Sequence, residues 1–224
     1  MNHCLGHQFA QPELLELALT HRSAGSPHNE RLEFLGDALL GAFIAQELYR
    51  RQPMASEGEL TRWRAHLVRA ETLAELAMEQ GLGEHLRMGP GELKAAGWRR
   101  HSMLADALEA VIGAIYEDGG NAAVHTALAT LYAPRWDTLP SADALKDAKT
   151  RLQEWLQARS LARPEYSVID ESGPAHKRSY TVRVQVALQT GQPVIQEQAL
   201  ARSRRAAEQK AAEKILAQLK ESQA

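Results

Sequence analysis

From Pro12 to about Leu131 the apolar side chains recur every three or four residues. Leu32, Leu35, Leu39, Leu40, Phe43, Ile44 and Leu48 form one run; Leu67, Leu73, Leu76 and Ala77 a second; Leu104, Leu108, Val111, Ile112 and Ile115 a third. This spacing gives each of several helices one apolar stripe, and no segment here alternates with the period of two that a strand needs. Pro53, Gly81–Gly83, Gly89-Pro90-Gly91 and Gly119-Gly120 fall between the runs as breaks. The pattern predicts an all-helical bundle.

After Ala133 the pattern lapses. Pro134 and Pro140 stand among small and charged residues without apolar periodicity, as in a linker. The period then changes. Lys149–Arg159 reads as a short helix with Leu152, Trp155 and Leu156 on one side. Tyr180, Val182, Val184 and Val186 alternate with Thr181, Arg183, Gln185 and Ala187, which predicts a half-buried strand. Tyr166–Ile169 and Val194–Leu200 are its expected neighbours, set off by Ser172-Gly173-Pro174 and Thr190-Gly191. An Ala-rich helix follows from Ser203, a natural N-cap, to about Lys220. The order is α-β-β-β-α, giving domains at 1–133 and 149–222 and a linker at 134–148.

Charge divides the chain at the same place. Residues 1–145 carry 12 Lys and Arg against 19 Asp and Glu; residues 146–224 carry 14 against 9. The overall charge of −2 thus conceals an acidic part and a basic part, and the basic part is a candidate for an anionic partner. No run approaches the roughly 18 consecutive apolar residues of a membrane helix, and the N-terminus lacks the pattern of a signal peptide. The single cysteine, Cys4, can form no internal disulfide. A cytoplasmic protein without membrane attachment is expected.

Two acidic clusters carry the candidate chemistry. Glu30, Glu33 and Asp37 are three and four residues apart, so a helix sets them on one side, where like charges oppose each other unless a cation intervenes. Gly36 and Gly41 flank this stripe and permit close approach of a backbone or a substrate. Asp106 and Glu109 are again three apart, among apolar and small residues with no Lys or Arg within a turn. Buried carboxylates are generally paired or metal-bound. If the two helices pack, Glu33, Asp37, Asp106 and Glu109 converge as an all-oxygen site suited to Mg²⁺ or Mn²⁺. Spacing alone leaves solvated helix faces as the other reading. A di-iron bundle needs Glu-x-x-His motifs, and none of the nine histidines lies three residues after an acid. No Walker-type phosphate loop occurs either, so no nucleotide cofactor is expected.

The segment Asn29–Leu40, NERLEFLGDALL, resembles the signature of the ribonuclease III family, with Leu39 where valine is commoner. Leu73–Leu76 (LAEL), Gly89–Lys94 (GPGELK) and Leu104–Gly113 (LADALEAVIG) resemble further family segments in the expected order. The resemblance spans essentially the whole chain. It implies that Glu33, Asp37, Asp106 and Glu109 hold the catalytic metal, with Asp37 and Glu109 foremost as direct ligands, and Mg²⁺ as cofactor with Mn²⁺ as a substitute. Glu30 and Glu57 match acidic family positions, near the substrate or behind the metal ligands, and Arg64 is a candidate for steering a phosphate, its other reading being a solvated arginine. Phe34 resembles the aromatic that enters the partner subunit of the family homodimer; its other reading is an ordinary core aromatic.

The basic part resembles a double-stranded-RNA-binding domain. Gly173-Pro174-Ala175-His176 is similar to the loop that enters the RNA minor groove, with His176 as the contact. Gln153 and Glu154 sit where the first helix reads 2′-hydroxyls. Ser203, Arg204 and Arg205 stand at the start of the last helix, where cations bridge phosphates; arginine replaces the usual lysine at 204 and 205 and preserves the charge. The implied fold is an all-α nuclease domain followed by a small α+β RNA-binding domain. The implied activity is hydrolysis of double-stranded RNA to 5′-phosphate and 3′-hydroxyl ends, in processing ribosomal RNA precursors and some messenger and transfer RNAs. The rival reading is a catalytically silent double-stranded-RNA binder of the same fold.

Overall fold

The computed structural model describes residues 3–174, 177–188 and 194–221. The chain divides after Leu145 into two compact units. The first opens on a small antiparallel hairpin, β1 (His3–Cys4) and β2 (His7–Gln8), turned by Leu5 and Gly6 at φ 49° and 76°. With two residues per strand, it is too short to leave an alternating pattern, so the sequence reading missed it. Asp118 fastens it: its carboxylate accepts from the Ala10 and Gln11 amides at 3.0 and 2.8 Å and lies 2.8 Å from His7 Nε2.

Helices make up the rest of this unit: α1 (Pro12–Ala18), α2 (Glu30–Arg51), α3 (Glu57–Leu67), α4 (Ala70–Glu79), α5 (Pro90–Lys94) and α6 (His101–Trp136). Pro12 and Pro90 open α1 and α5 at positions where a missing N–H costs nothing. Ser56 and Glu59 cap α3 reciprocally, the Ser56 hydroxyl accepting from the Glu59 amide while the Glu59 carboxylate takes the Ser56 amide. Leu40, Ile44 and Leu48 of α2 and Leu104, Leu108, Ile112 and Ile115 of α6 are almost wholly buried and form the centre of the core.

The expected break at Gly119-Gly120 is a kink within α6. Gly120 alone leaves helical geometry, at φ 71°, so α6 is two rods joined there. Residues 134–145, which composition marks as linker, run along the first unit. Trp63 Nε1 donates to the Pro140 carbonyl at 2.8 Å, Arg62 Nε to the Ala142 carbonyl at 3.2 Å, and Ala142 is buried. Those contacts use backbone carbonyls, which hydrophobic periodicity does not register.

In the second unit, α7 (Ala148–Gln157) is capped by Asp147, whose carboxylate accepts from the Thr150 amide at 2.9 Å. β3 (Glu165–Ser172), β4 (Ser179–Val186) and β5 (Ile195–Ala201) form an antiparallel sheet in that order, and α8 (Arg204–Glu221) closes the unit. Val184 and Val186 of β4 pack against Leu152 and Leu156 of α7 and Ala211, Ala212 and Ile215 of α8, as the alternation requires. A bulge at Ile169 shifts the register between β3 and β4. Apart from the short hairpin, the helical first unit and the α-β-β-β-α second unit are the fold class that the sequence predicts.

Candidate metal centre and nucleic-acid interface

The candidate metal centre exists because two glycines let two helices touch. A Cβ on Gly36 of α2 would lie 1.7 Å from the Glu109 carbonyl oxygen of α6, and one on Gly113 of α6 would lie 2.2 Å from the Leu32 carbonyl oxygen of α2. No larger residue fits at either place. The backbone beside Glu33 and Asp37 is therefore pressed against the turn that bears Asp106 and Glu109. Gly41, the other glycine flanking the acidic stripe, faces open space and has no such part.

Three of the four expected ligands meet. One carboxylate oxygen from each of Glu33, Asp106 and Glu109 lies within 4.8 Å of the other two, and all three side chains are half-buried. Asp37 is exposed and lies outside this group, yet its charge is the strongest acting on Glu109. Burial, then the charges of Asp37, Asp106 and Glu33, push the Glu109 carboxyl up to about 8. Glu33 is raised by burial and then by Asp106 and Glu30, with Arg22 opposing. Asp106 is raised by burial against the pull of His21 and Arg22. A group of acids that suppress each other's ionisation, with oxygen donors only, fits a hard divalent cation.

A cleft of about 540 Å³ opens beside Glu33 and Asp106, and Arg22, Glu30, Glu92 and Arg100 also line it. Glu30 stands exposed at its edge, 3.2 Å from Arg22 Nη1 and 3.8 Å from His28 Nδ1. The sequence reading missed Arg22 and Arg100, because residues so far from the acidic stripes leave no spacing signal. Glu57 and Arg64 do not join this cleft. They line a separate hollow with Tyr49 and Leu60, and Glu57 accepts a hydrogen bond from Thr61 Oγ1 at 2.8 Å. Phe34 is 80% exposed, so within one subunit it is no core aromatic.

In the second unit Gln153 and Glu154 are exposed on α7, and Glu154 accepts from Lys146 Nζ at 2.7 Å. The Ser203 hydroxyl accepts from the Ala206 amide at 3.2 Å and so caps α8. Arg204 and Arg205 follow, both exposed. His176 lies outside the described residues.

Between α7 and α8 sits an acid that the sequence reading did not single out. Glu208 is buried; one carboxylate oxygen accepts from Lys149 Nζ at 2.5 Å and the other from Arg204 Nε at 2.9 Å. Lys149 Nζ also lies 4.5 Å from the centre of the Tyr166 ring. Burial alone would raise the Glu208 carboxyl, but the hydrogen bonds and charges of Lys149 and Arg204 prevail and hold it below the usual range. Its sequence signal was the four-residue step from Arg204 to Glu208, an ordinary helical ion-pair spacing.

Comparison with known proteins adds the family. A "Ribonuclease-III-like" family profile matches residues 11–135, and a "Double-stranded RNA binding motif" profile matches residues 148–219. Ribonuclease 3 of Vibrio vulnificus (strain YJ016) is 52% identical over 215 residues, covering 96% of this chain and 94% of its own. Ribonuclease 3 of Xanthomonas oryzae pv. oryzae is 50% identical over 96% of this chain and 93% of its own. A crystallised nuclease domain of ribonuclease III from Campylobacter jejuni, described for flexibility in its dimer-forming region, superposes with a TM-score of 0.55 at 38% identity. It covers 58% of this chain and 92% of that domain.

Proposed function

The chain belongs to the ribonuclease III family, and we propose that its double-stranded-RNA endonuclease reaction is carried by the carboxylates where α2 crosses α6. The protein is a double-stranded-RNA-specific endoribonuclease that acts as a homodimer. The observation that carries the site is the convergence of Glu33, Asp106 and Glu109 within 4.8 Å, with no lysine or arginine hydrogen-bonded to any of the three among the described residues. A silent RNA binder has no use for three mutually repelling, half-buried acids.

The family is metal-dependent, and the cation assigned here is Mg²⁺, with Mn²⁺ able to replace it. Bound there, it would supply an activated water and neutralise charge on the phosphate oxygens. Glu33, Asp106 and Glu109 would hold it, with Asp37, one turn further along α2, as the fourth carboxylate. Glu109 must give up its proton first, since its carboxyl is pushed up to about 8 in the free protein. Water oxygen attacks phosphorus, the bond to the 3′ oxygen breaks, and that oxygen leaves as a hydroxyl, with phosphate retained on the 5′ end.

Phe34, 80% exposed on α2, belongs to the subunit interface in this reading, which rests on its place in the segment Asn29–Leu40 that resembles the family. Glu30, at the edge of the cleft, lies near the substrate or behind the ligands in this reading; Glu57 and Arg64, in their separate hollow, are assigned a secondary part, Arg64 in steering a phosphate. Each subunit then contributes one centre and cuts one strand. RNA is held by Gln153 and Glu154 of α7, by His176, which lies between β3 and β4 in sequence, and by Ser203, Arg204 and Arg205 at the start of α8. Such domains read duplex shape and 2′-hydroxyls rather than sequence. We place the nuclease domain at 1–133 and the RNA-binding domain at 149–222. The reaction is assigned to the cytoplasm, on precursors of ribosomal RNA and on messenger and transfer RNAs. No helix among the described residues is long and apolar enough to cross a membrane.

The test is incubation with a long RNA duplex, with and without Mg²⁺, beside the Glu109→Gln variant. Short duplexes with 5′-phosphates are expected only from the unaltered protein with metal. Binding without cutting in either Mg²⁺ or Mn²⁺ would leave a binder with a nuclease's fold.

A further inference from the structure

An RNA-binding surface gains nothing electrostatically from an acid, yet Glu208 is buried one turn into α8, with 7% of its surface exposed. It is not idle there. Its two oxygens hold one cation from each helix, Lys149 of α7 and Arg204 of α8. Lys149 is fixed a second time by the Tyr166 ring. The Lys149 amide donates to Gln209 Oε1 at 3.1 Å, so the neighbour of Glu208 also ties the two helix starts together.

The geometry at Arg204 is informative. Glu208 takes the Nε hydrogen, the inner edge of the guanidinium, while the side chain as a whole stays 63% exposed. A guanidinium gripped at Nε still has its two terminal nitrogens for a phosphate; a lysine ammonium has one nitrogen for both tasks. Holding a long, flexible side chain in place before binding removes the ordering cost that binding would otherwise incur.

We infer that Glu208 is a positioning residue for RNA recognition, an acid that, braced by Lys149, aims Arg204 at a phosphate of the duplex backbone. This rests on the proposal that the start of α8 touches RNA. It also reverses the sign of a simple charge argument. Removing a negative charge from an RNA-binding face should tighten binding, whereas removing a positioning acid weakens it.

The experiment measures affinity of the full chain in EDTA, where no cutting occurs, for a labelled RNA duplex slightly longer than the roughly 16 base pairs one such domain spans. The variants are Glu208→Gln, Arg204→Ala and the double variant, each checked for thermal unfolding. Glu208→Gln is expected to weaken binding about three- to tenfold, as the release of one or two ordered side chains implies. In the Arg204→Ala background its effect should shrink. The salt dependence of binding should fall in Glu208→Gln although the net charge has become more positive. Equal or tighter binding by folded Glu208→Gln overturns the inference. If Arg204→Ala binds like the unaltered protein, the proposed RNA contact itself fails; if it binds weakly while Glu208→Gln does not, only the positioning role fails. Should Glu208→Gln not fold, Arg204→Lys decides. It keeps the charge but cannot serve Glu208 and phosphate with separate nitrogens, so it must bind more weakly, and binding at the unaltered strength overturns the inference.

Discussion

Glu109 and Glu208 are both carboxylates taken out of water on a helix, and the protein treats them in opposite ways. Glu208 is given two cations from its own unit, and its carboxyl is held low. Glu109 is given three more acids, and its carboxyl is pushed up to about 8. The first site is complete as folded. The second carries repulsion among acids, which a proton or a bound cation relieves. Burial alone therefore says little about what an acid does. What sets these two acids apart is that the fold brings two cations to Glu208 and further acids to Glu109.

The sharpest way to break this contrast is Glu109→Gln. The amide keeps the size and removes the charge, so cutting of duplex RNA should fall by more than about a hundredfold, while RNA affinity in EDTA stays unchanged. Mg²⁺-dependent cutting at the unaltered rate would remove Glu109 from the chemistry. Gly36→Ala attacks the same site through its scaffold. The added Cβ meets the Glu109 carbonyl at 1.7 Å, so α2 must lift from α6. An overpacking cost of about 1–3 kcal/mol is expected, read as a lower unfolding midpoint, with loss of metal binding by calorimetry. Gly41→Ala, with nothing near its Cβ, is the control and should do neither. On the other side of the comparison, Arg204→Ala with Arg205→Ala should weaken binding to all duplexes alike. The slope of log affinity against log salt should drop by roughly 0.9 per lost phosphate contact, taking B-DNA as guide. An unchanged slope moves the footprint away from α8.

What was legible in the sequence was whatever repeats locally. The three-and-four spacing from Leu32 to Leu48 gave α2, and the Val182-Val184-Val186 alternation gave β4, because each reports one face of one element. The acidic pairs were visible for the same reason. Their meeting was not: that depends on Gly36 and Gly113 closing two helices some seventy residues apart in sequence, and a glycine's neighbours are not written beside it. Arg22 reaches Glu33 and Asp106 through a turn, Trp63 and Arg62 hold residues 134–145 through backbone carbonyls, and Lys149 reaches Glu208 across two helices. None of these has a period. The segments NERLEFLGDALL and LADALEAVIG supplied by resemblance an expectation that physical spacing left open, one centre for four acids, of which the fold brings Glu33, Asp106 and Glu109 together.

The smallest effect expected is also the one that sets the two acids side by side, in the dependence of stability on pH. A carboxyl raised in the folded state favours folding fully below its unfolded value and withdraws that support as pH rises through the folded value. For Glu109 the window runs from 4.5 to about 8, and Glu33 and Asp106, also raised, act in the same direction. A carboxyl lowered in the folded state, as Glu208 is, supports folding above its unfolded value and fails only as pH falls through the lowered one. In EDTA, then, replacing Glu109 by Gln should raise the unfolding midpoint at pH 8 relative to the unaltered protein and change it little at pH 4.5. Replacing Glu208 should lower the midpoint at every pH above about 5, with the difference closing in acid. Mg²⁺ should stabilise the unaltered protein more at pH 8 than at pH 5, where protons compete for the same oxygens, and should add little to Glu109→Gln. Referring each variant to the unaltered protein at the same pH cancels the histidines. If the two variants show the same pH dependence, the cluster at α2 and α6 is an ordinary set of partnered acids, and the distinction between the two sites collapses.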